Sequence, residues 1–236
     1  MTEIIVALDH KNLDDALALV HSLGDAIKWY KVGSVLFTKE GGQAVKRLKE
    51  LNKKVFLDLK FHDIPNTVAG AVENSVELGA DMFTLHASGG AKMIARAHQT
   101  AQSVAKKRGL TAPKSVAVTL LTSLSSQDIA EDFGIKKTPE DIVKKLVSVV
   151  IKAGANGIVA SPNELPMIRA NFDKNLIVIT PGVRPVWAKK GDQQRVMTPK
   201  DAARAGADFL VIGRPIIAAH NPKAAAELIL QELKEA

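Results

Sequence analysis

The chain has 236 residues, 46% hydrophobic and 24% charged, a size and balance typical of a soluble protein with a large core. It has no cysteine, which excludes disulfides, thiolate nucleophiles and cysteine-ligated metals. Its net charge of +7 is spread over separate basic pairs with only 4% aromatic residues, so a nucleic-acid-binding surface is disfavoured.

The first predicted element is a strand over residues 3–9, which begins almost at the first residue. The segment lacks the basic region and the small-residue cleavage site of a secretory signal. No apolar run reaches the roughly 18 residues that a membrane-spanning helix needs. Together with the lack of cysteine, these features predict a cytoplasmic protein that does not enter a membrane.

Short apolar segments then alternate with amphipathic helical patterns along the chain. Most of these segments are rich in Val, Ile, Leu or Phe without strict alternation, as expected of strands buried on both faces. The predicted strands lie at residues 3–9, 28–32, 54–59, 81–86, 115–120, 156–160, 175–179 and 207–212. The predicted helices lie at residues 13–23, 41–51, 66–78, 90–108, 139–153 and 222–234.

The number and order of these elements predict the fold class. Strands that alternate with helices indicate an α/β protein with a parallel sheet, and eight strands favour closure into a (β/α)8 TIM barrel. The tripeptides at 79–81 (GAD), 154–156 (GAN) and 206–208 (GAD) each end a helical pattern and open a strand, as repeated helix-to-strand turns would. An open doubly wound sheet is the alternative, which no G-x-G-x-x-G turn supports. No linker interrupts the chain, so we predict a single catalytic domain over residues 1–236.

A charged cluster follows the third predicted strand, where the active site of such a barrel lies. Residues two apart on a strand face the same side, so Asp58 and Lys60 are predicted neighbours. Two carboxylates and a lysine would be costly to desolvate here without a function, although an ion pair with a helix cap is the structural alternative. Neighbouring carboxylates favour the ammonium form, which suits Lys60 to donating a proton. Pro65 fits the first turn of the next helix, with Asp63 or Ile64 as its cap.

A phosphate site is predicted after strands 7 and 8, where barrels often bind this group. The seventh strand is followed by Arg184. The eighth is followed by Gly213, which allows close backbone approach, and by Arg214, whose guanidinium suits phosphate. Pro215 would open a short helix over residues 216–219. The polar loop at 186–194 is a candidate lid, and an ordinary exposed loop is the alternative.

Other polar residues at predicted strand ends carry weaker signals. Asp9 and Lys31 each end an apolar strand, a position that an ordinary surface charge does not explain. His86 and His62 are better explained as structural histidines than as catalytic ones. The histidine spacing matches no metal motif, so no metal site is predicted.

Asp58-x-Lys60-x-x-Asp63-Ile-Pro-Asn-Thr67 resembles the motif of the orotidine 5′-monophosphate decarboxylase family, in its bacterial form. The D-x-K-x-x-D core is shared with related barrels, whereas its extension through Thr67 is specific. The resemblance covers essentially the whole chain. It includes Ala7-Leu8-Asp9, Lys31-Val32-Gly33, Leu121-Thr122-Ser123, Pro181-Gly182-Val183-Arg184 and Ile212-Gly213-Arg214.

This resemblance implies a cofactor-free homodimer that converts orotidine 5′-monophosphate (OMP) to uridine 5′-monophosphate (UMP) and carbon dioxide, the last step of de novo UMP synthesis. It implies that Lys60 protonates C6 and that Asp58 lies beside the substrate carboxylate. Lys31 would hold Asp58 and the ribose hydroxyls. Asp63 and Thr67 would reach into the partner subunit's site and complete an array of alternating charge.

The resemblance also implies the remaining substrate contacts. Asp9 would contact the nucleoside and Thr122 the pyrimidine ring. The loop over residues 183–194 would close over the substrate. The phosphate would be held by Arg184, Gln193, Gly213 and Arg214.

Two alternative functions stay open at this point. One is a magnesium-dependent sugar-phosphate barrel that resembles 3-keto-L-gulonate 6-phosphate decarboxylase or hexulose-phosphate synthase. Such an enzyme is expected to have an acidic metal ligand at the end of strand 2, where this chain has Lys31, whose charge repels a cation. The other is a non-catalytic barrel that senses nucleotides, which the cluster of Asp58, Lys60 and Asp63 argues against. Fold alone would not distinguish them.

Overall fold

The computed structural model describes residues 2–188 and 197–236. Within these residues, eight parallel strands follow one another around a closed barrel, and the last pairs with the first. The strands are β1 (Glu3–Ala7), β2 (Trp29–Gly33), β3 (Lys54–Phe61), β4 (Met82–His86), β5 (Lys114–Val118), β6 (Gly157–Val159), β7 (Ile177–Thr180) and β8 (Phe209–Ile212). The predicted TIM barrel is confirmed, and the open doubly wound sheet is excluded.

Helices connect the strands on the outside of the barrel. Those in the described residues are α1 (Leu13–Leu23), α2 (Ser34–Glu40), α3 (Gln43–Glu50), α4 (Pro65–Glu77), α5 (Gly90–Arg108), α6 (Ser126–Phe133), α7 (Pro139–Lys152), α8 (Leu165–Asn171), α9 (Pro199–Arg204), α10 (Arg214–Ile217) and α11 (Pro222–Lys234). None of the helices in this part of the chain combines the length and apolarity that crossing a bilayer requires.

The helices predicted at 13–23, 90–108 and 222–234 are confirmed as α1, α5 and α11, and those predicted at 66–78 and 139–153 differ from α4 and α7 by no more than one residue at either end. The prediction over 41–51 starts too early, because Gly41, with a φ of 55°, ends α2 and α3 begins only at Gln43. The helix predicted at 216–219 begins earlier, at Arg214. Helices α2, α6, α8 and α9 were not predicted, since runs of six to eight residues show too few turns for a clear apolar period.

The repeated tripeptide is a structural device at the amino end of the barrel. Its glycines, Gly79, Gly154 and Gly206, have φ values of 83°, 79° and 98°, as predicted for residues that turn the chain out of a helix. In each copy, the residue two positions after the glycine accepts a hydrogen bond through a side-chain oxygen, and the donor is a backbone amide of the preceding strand. These pairs are Asp81 with Val55 at 2.8 Å, Asn156 with Ser115 at 2.9 Å and Asp208 with Val178 at 2.7 Å.

Two apolar clusters support the barrel. The smaller fills its interior and consists of Ile5, Phe56, Met82, Val116, Ile179 and Phe209. The larger lies between the strands and the helices. Because side chains alternate along a strand, residues two positions beyond the interior cluster also face inward. Asp58 follows Phe56 and Thr84 follows Met82 in this way, so the apolar interior ends where polar side chains begin.

Candidate active site at the carboxyl end of the barrel

Four charged residues form a continuous set of contacts at the carboxyl end of the barrel, which we call the charged row: Asp9, Lys31, Asp58 and Lys60. The ammonium of Lys31 lies 2.9 Å from Asp9 Oδ1 and 3.8 Å from Asp58 Oδ2. The ammonium of Lys60 lies 2.9 Å from both oxygens of Asp58. The charges therefore alternate in sign. Since the side chains of Lys31 and Asp58 are only 12% and 13% exposed, their interaction is weakly screened.

The strands explain how three members of the row meet. Lys31 lies within β2, and Asp58 and Lys60 lie within β3, so the parallel pairing of these strands places them side by side. Asp9 follows two residues after β1, which ends at Ala7 rather than at residue 9 as predicted. The row thus comes from neighbouring strand ends that are far apart in sequence.

Lys60 meets Asp58 as predicted, but regular strand geometry is only part of the reason. Its φ is 52°, a left-handed conformation that costs a residue with a side chain roughly 1–2 kcal/mol. The pairing of β3 with β4 shifts register between Leu57 and Phe61. Lys60 donates its backbone amide to the hydroxyl of Thr84, 2.9 Å away, instead of to a strand partner. Strain of this kind clusters at functional sites.

Gly33 leaves space for the side chain of Lys31. This role of the glycine was not predicted from the sequence. A Cβ atom at this position would lie 2.7 Å from Lys31 Nζ and 3.7 Å from Asp9 Oδ1. The φ of Gly33 is −101°, so the backbone itself would accept other residues. A side chain at this position would force the flexible end of Lys31 to move, because the lysine ammonium occupies the space of a Cβ atom. The place of Gly33 two residues after a strand lysine was the available signal.

Two adjoining cavities bring most of the predicted site residues together. One, of about 180 Å³, is lined by Asp9, Lys31, Arg184, Gly213 and Arg214 among others. The other, of about 210 Å³, is lined by Lys31, Asp58, Lys60 and Thr122 among others. Lys31, Pro181 and Val211 line both. The charged row therefore forms one wall of a space that runs from Thr122 to the two arginines.

The arginine end of this space is built by the segments after β7 and β8. Arg184 is 8% exposed, and its backbone amide donates to the carbonyl of Met197 at 2.9 Å. Arg214 is exposed at the first position of α10, directly after Gly213. Gln193, the remaining predicted phosphate contact, and residues 189–194 of the candidate lid lie outside the described residues. At the start of the candidate lid, Trp187 is 51% exposed.

Asp63 and Thr67 are not members of the charged row. Both are exposed, and in the described residues Asp63 forms no ion pair with the row. Oδ1 of Asp63 accepts a hydrogen bond from the amide of Ile64 at 2.6 Å. Helix α4 begins at Pro65 as predicted, and Ile64 is its N-cap residue, without a side-chain hydrogen bond. The predicted capping role is correct in position, but no side chain performs it.

His86 and His62 pack against each other beside the row. Their ring centroids are 5.2 Å apart, and His62 Nε2 lies 3.5 Å from the hydroxyl of Ser88. Burial, followed by the nearby His62 ring and Lys60 ammonium, lowers the pKa of His86 from its ordinary value. A separate apolar cavity, which includes Phe133 and Leu146 in its lining, also contacts His86. A structural role for both histidines stays a prediction.

Comparison with known proteins supports one family across the chain. The model of the orotidine 5′-phosphate decarboxylase / HUMPS family matches residues 2–229. The orotidine 5′-phosphate decarboxylase of Syntrophomonas wolfei subsp. wolfei is 44% identical over 233 residues, which is 98% of either chain. That of Geobacter metallireducens is 45% identical over 232 residues, covering 98% of this chain and 95% of the relative.

Solved structures give the same result. The crystal structure of orotidine 5′-phosphate decarboxylase from Lactobacillus acidophilus matches with a TM-score of 0.88 and 35% identity, over 99% of each chain. An uncharacterized conserved protein from Geobacillus kaustophilus matches with a TM-score of 0.86 and 30% identity, over 98% of this chain and 99% of the other. Motifs, relatives and fold agree, and the chain belongs to the orotidine 5′-phosphate decarboxylase / HUMPS family.

Proposed function

We propose that this enzyme decarboxylates OMP to UMP and carbon dioxide, and so completes UMP synthesis. The observation that carries the proposal is the charged row, which lines a space that also contains two arginines suited to a phosphate. The names of the relatives support the same reaction, and they confirm the predicted enzyme class, a carboxy-lyase. The roles assigned to individual residues are part of the proposal.

Lys60 is the proposed proton donor. Loss of carbon dioxide leaves an electron pair on C6 of the pyrimidine, and a fixed ammonium beside C6 stabilises that charge before donating its proton to the same carbon. Two contacts with Asp58 at 2.9 Å and a backbone contact with Thr84 hold Lys60 in place before substrate binds. Little reorganisation is then needed during the reaction.

Asp58 is proposed to lie beside the substrate carboxylate. Two such charges about 4 Å apart repel each other by roughly 4 kcal/mol at an effective dielectric near 20. Full relief of that repulsion would speed the reaction by about three powers of ten, far less than very slow uncatalysed reactions require. Stabilisation of the C6 carbanion by Lys60 is therefore the larger contribution, and repulsion by Asp58 the smaller.

The binding residues follow the two cavities. We assign the phosphate to Arg184, Gly213, Arg214 and Gln193, the ribose hydroxyls to Lys31, a nucleoside contact to Asp9 and the pyrimidine to Thr122. Phosphate contacts remote from C6 can drive closure of the lid, so their binding energy lowers the chemical barrier. Orotidine without its phosphate should lose turnover as well as affinity. An unchanged turnover number would contradict this part of the proposal.

We also propose a homodimer in which Asp63 and Thr67 complete the partner's site. The exposure of both residues supports this arrangement, as does the lack of an ion pair between Asp63 and its own charged row among the described residues. Mixing Lys60→Ala chains with Asp63→Ala chains tests it, because only a mixed dimer then contains one complete site. Random exchange should restore about one quarter of wild-type activity. If Asp63 serves its own subunit, every site stays defective and no activity returns.

The magnesium-dependent sugar-phosphate enzyme remains the second candidate, since the matched family also includes HUMPS. Lys31 argues against it, because its ammonium occupies the carboxyl end of β2, where such an enzyme would need an acidic ligand. Lys31 instead forms ion pairs with Asp9 and Asp58, which a divalent cation would otherwise use.

The first experiment follows the ultraviolet absorbance of OMP with purified enzyme, with and without EDTA. Loss of the orotate absorbance at the same rate under both conditions supports the proposed decarboxylase. No turnover of OMP by folded enzyme would overturn it, and sugar phosphates with magnesium would be tested next.

The chain's lack of cysteine fits a reducing compartment, so we expect the reaction to occur in the cytoplasm.

A further inference from the structure

We infer that Thr84 is a positioning residue that sets the geometry of Asp58 and Lys60. Thr84 lies in β4 and is fully buried. Its hydroxyl accepts a hydrogen bond from the backbone amide of Lys60 at 2.9 Å and donates one to Asp58 Oδ1 at 3.0 Å. One side chain thus holds the backbone of the proposed proton donor and the carboxylate that binds its ammonium.

The chemistry of the hydroxyl explains why Thr84 can do both. A hydroxyl has one hydrogen to donate and lone pairs to accept, so it can bridge an amide and a carboxylate. The donated hydrogen bond engages Oδ1 of Asp58, while Oδ2 faces Lys31 at 3.8 Å. The hydroxyl therefore helps to fix the rotation of the carboxylate between the two lysines. Valine has nearly the same shape and can make neither contact.

The backbone of β3 needs this contact because its pairing with β4 is irregular. Leu57 pairs with Phe83 and Phe61 with Leu85, so four residue steps in β3 match two in β4. The extra residues form a bulge, and bulges often redirect a side chain next to an active site. Lys60 lies in this bulge with its left-handed φ of 52°. The Thr84 hydroxyl replaces the strand partner that the Lys60 amide has lost.

Removing the Thr84 hydroxyl should break both of its hydrogen bonds, the one from the Lys60 amide and the one to Asp58. The amide of Lys60 would lack an acceptor in a partly buried site, which favours a different backbone conformation. Lys60 would then relax towards an extended φ, and its ammonium would leave the position set by Asp58. Because proton donation to C6 depends on that position, the effect should fall on the chemical step rather than on binding of the nucleotide.

The experiment compares Thr84→Val, which removes the hydroxyl, with Thr84→Ser, which keeps it and serves as the matched control. We expect Thr84→Val to lower kcat by roughly 10- to 100-fold, with little change in KM or in the affinity for UMP. Its affinity for a UMP analogue with an anionic oxygen at C6 should fall in parallel with kcat. Thr84→Ser should stay within a few-fold of wild type in all of these measurements.

Crystal structures of both variants make the inference testable apart from the reaction. The kinetic measurements rest on the proposed function, whereas the φ of Lys60 and its distances to Asp58 do not. Failure of the wild-type enzyme to turn over OMP would overturn the function, and the structures would still test the positioning role. A Thr84→Val structure that keeps the left-handed Lys60 and both 2.9 Å contacts would overturn the inference, as would equal kcat values for the two variants.

Discussion

The two ends of the barrel use charged residues in different ways. At the amino end, Asp81 and Asp208 each accept a hydrogen bond from a backbone amide of the neighbouring strand. Lys49 and Lys54 surround Asp81, and Arg169 pairs with Asp208. In the described residues at the carboxyl end, Asp58 instead contacts only side chains, those of Lys31, Lys60 and Thr84.

This difference separates stability from function. Buried backbone groups need hydrogen-bond partners, so the carboxylates at the amino end help to hold the strands together. The charges at the carboxyl end satisfy one another and face a cavity, where they are available to a ligand. The contrast matches the general division of such barrels, with catalysis at the carboxyl end and stability at the amino end. Variants at the two ends should therefore affect different measurements.

The largest expected effect is at Lys60, with Lys54 at the other end of β3 as its matched control. Lys60→Ala removes the proposed acid and carbanion stabiliser, so turnover of OMP should fall by at least about 1,000-fold. Lys54→Ala, at the other end of the same strand, removes an exposed partner of Asp81 and should leave turnover unchanged. Absorbance assays on both variants, with melting temperatures as folding controls, measure the difference. Comparable activities of the two variants would refute the assignment.

The next largest effect is expected at Gly33. An added Cβ would lie 2.7 Å from Lys31 Nζ, so Gly33→Ala must displace the ammonium from Asp9 and Asp58. We expect kcat/KM to fall by about 10- to 100-fold, as misplacement of a catalytic group by about 1 Å can do. Lys31→Ala provides the reference for complete loss of the ammonium. Full activity of Gly33→Ala would contradict this prediction and show that the flexible end of Lys31 accommodates the added methyl group.

A stability effect is expected at Asp81, with activity unchanged. Asp81→Ala leaves the amide of Val55 without its acceptor and should lower the free energy of unfolding by about 1–3 kcal/mol. Asp81→Asn keeps an acceptor, as Asn156 does in the second copy of the tripeptide, and loses only the ion pairs with Lys49 and Lys54. Its cost should be about 0–1 kcal/mol. Denaturant unfolding measures both values, and equal losses would assign the effect to the ion pairs.

The smallest effect concerns the dependence of stability on pH. Burial lowers the pKa of both His86 and His98 from 6.5, so below pH 6.5 the unfolded chain binds more protons than the folded one. The free energy of unfolding should therefore fall as the pH drops through this range. Lys60 contributes to the lowered pKa of His86, whereas burial is the cause for His98.

His86→Gln and His98→Gln should each reduce the slope of melting temperature against pH between about 5 and 6.5. Lys60→Ala should weaken the contribution of His86 alone, because it removes a repulsive positive charge near that ring. Melting curves at a series of pH values give the slopes. An increase in slope for either glutamine variant would contradict the direction of the pKa shift.

The sequence determined most of the architecture because its signals are local. Apolar segments of β-branched residues, amphipathic helical patterns and the repeated glycine turns were enough to predict the closed barrel. The same reasoning placed charged residues at strand ends, and eight of the predicted site residues line the two adjoining cavities: Asp9, Lys31, Asp58, Lys60, Thr122, Arg184, Gly213 and Arg214. Strand order alone brings these positions to one end of a barrel.

The tertiary structure decided how these residues are held. The bulge at Lys60, its contact with Thr84 and the space left by Gly33 depend on pairing between strands, whose register no local pattern records. The hydrogen bonds of Asp81 and Asp208 to the preceding strands depend on the same pairing. A sequence specifies the type and approximate limits of each element through periodicity. Atomic contacts between elements arise only when their packing fixes distances that local propensity leaves open.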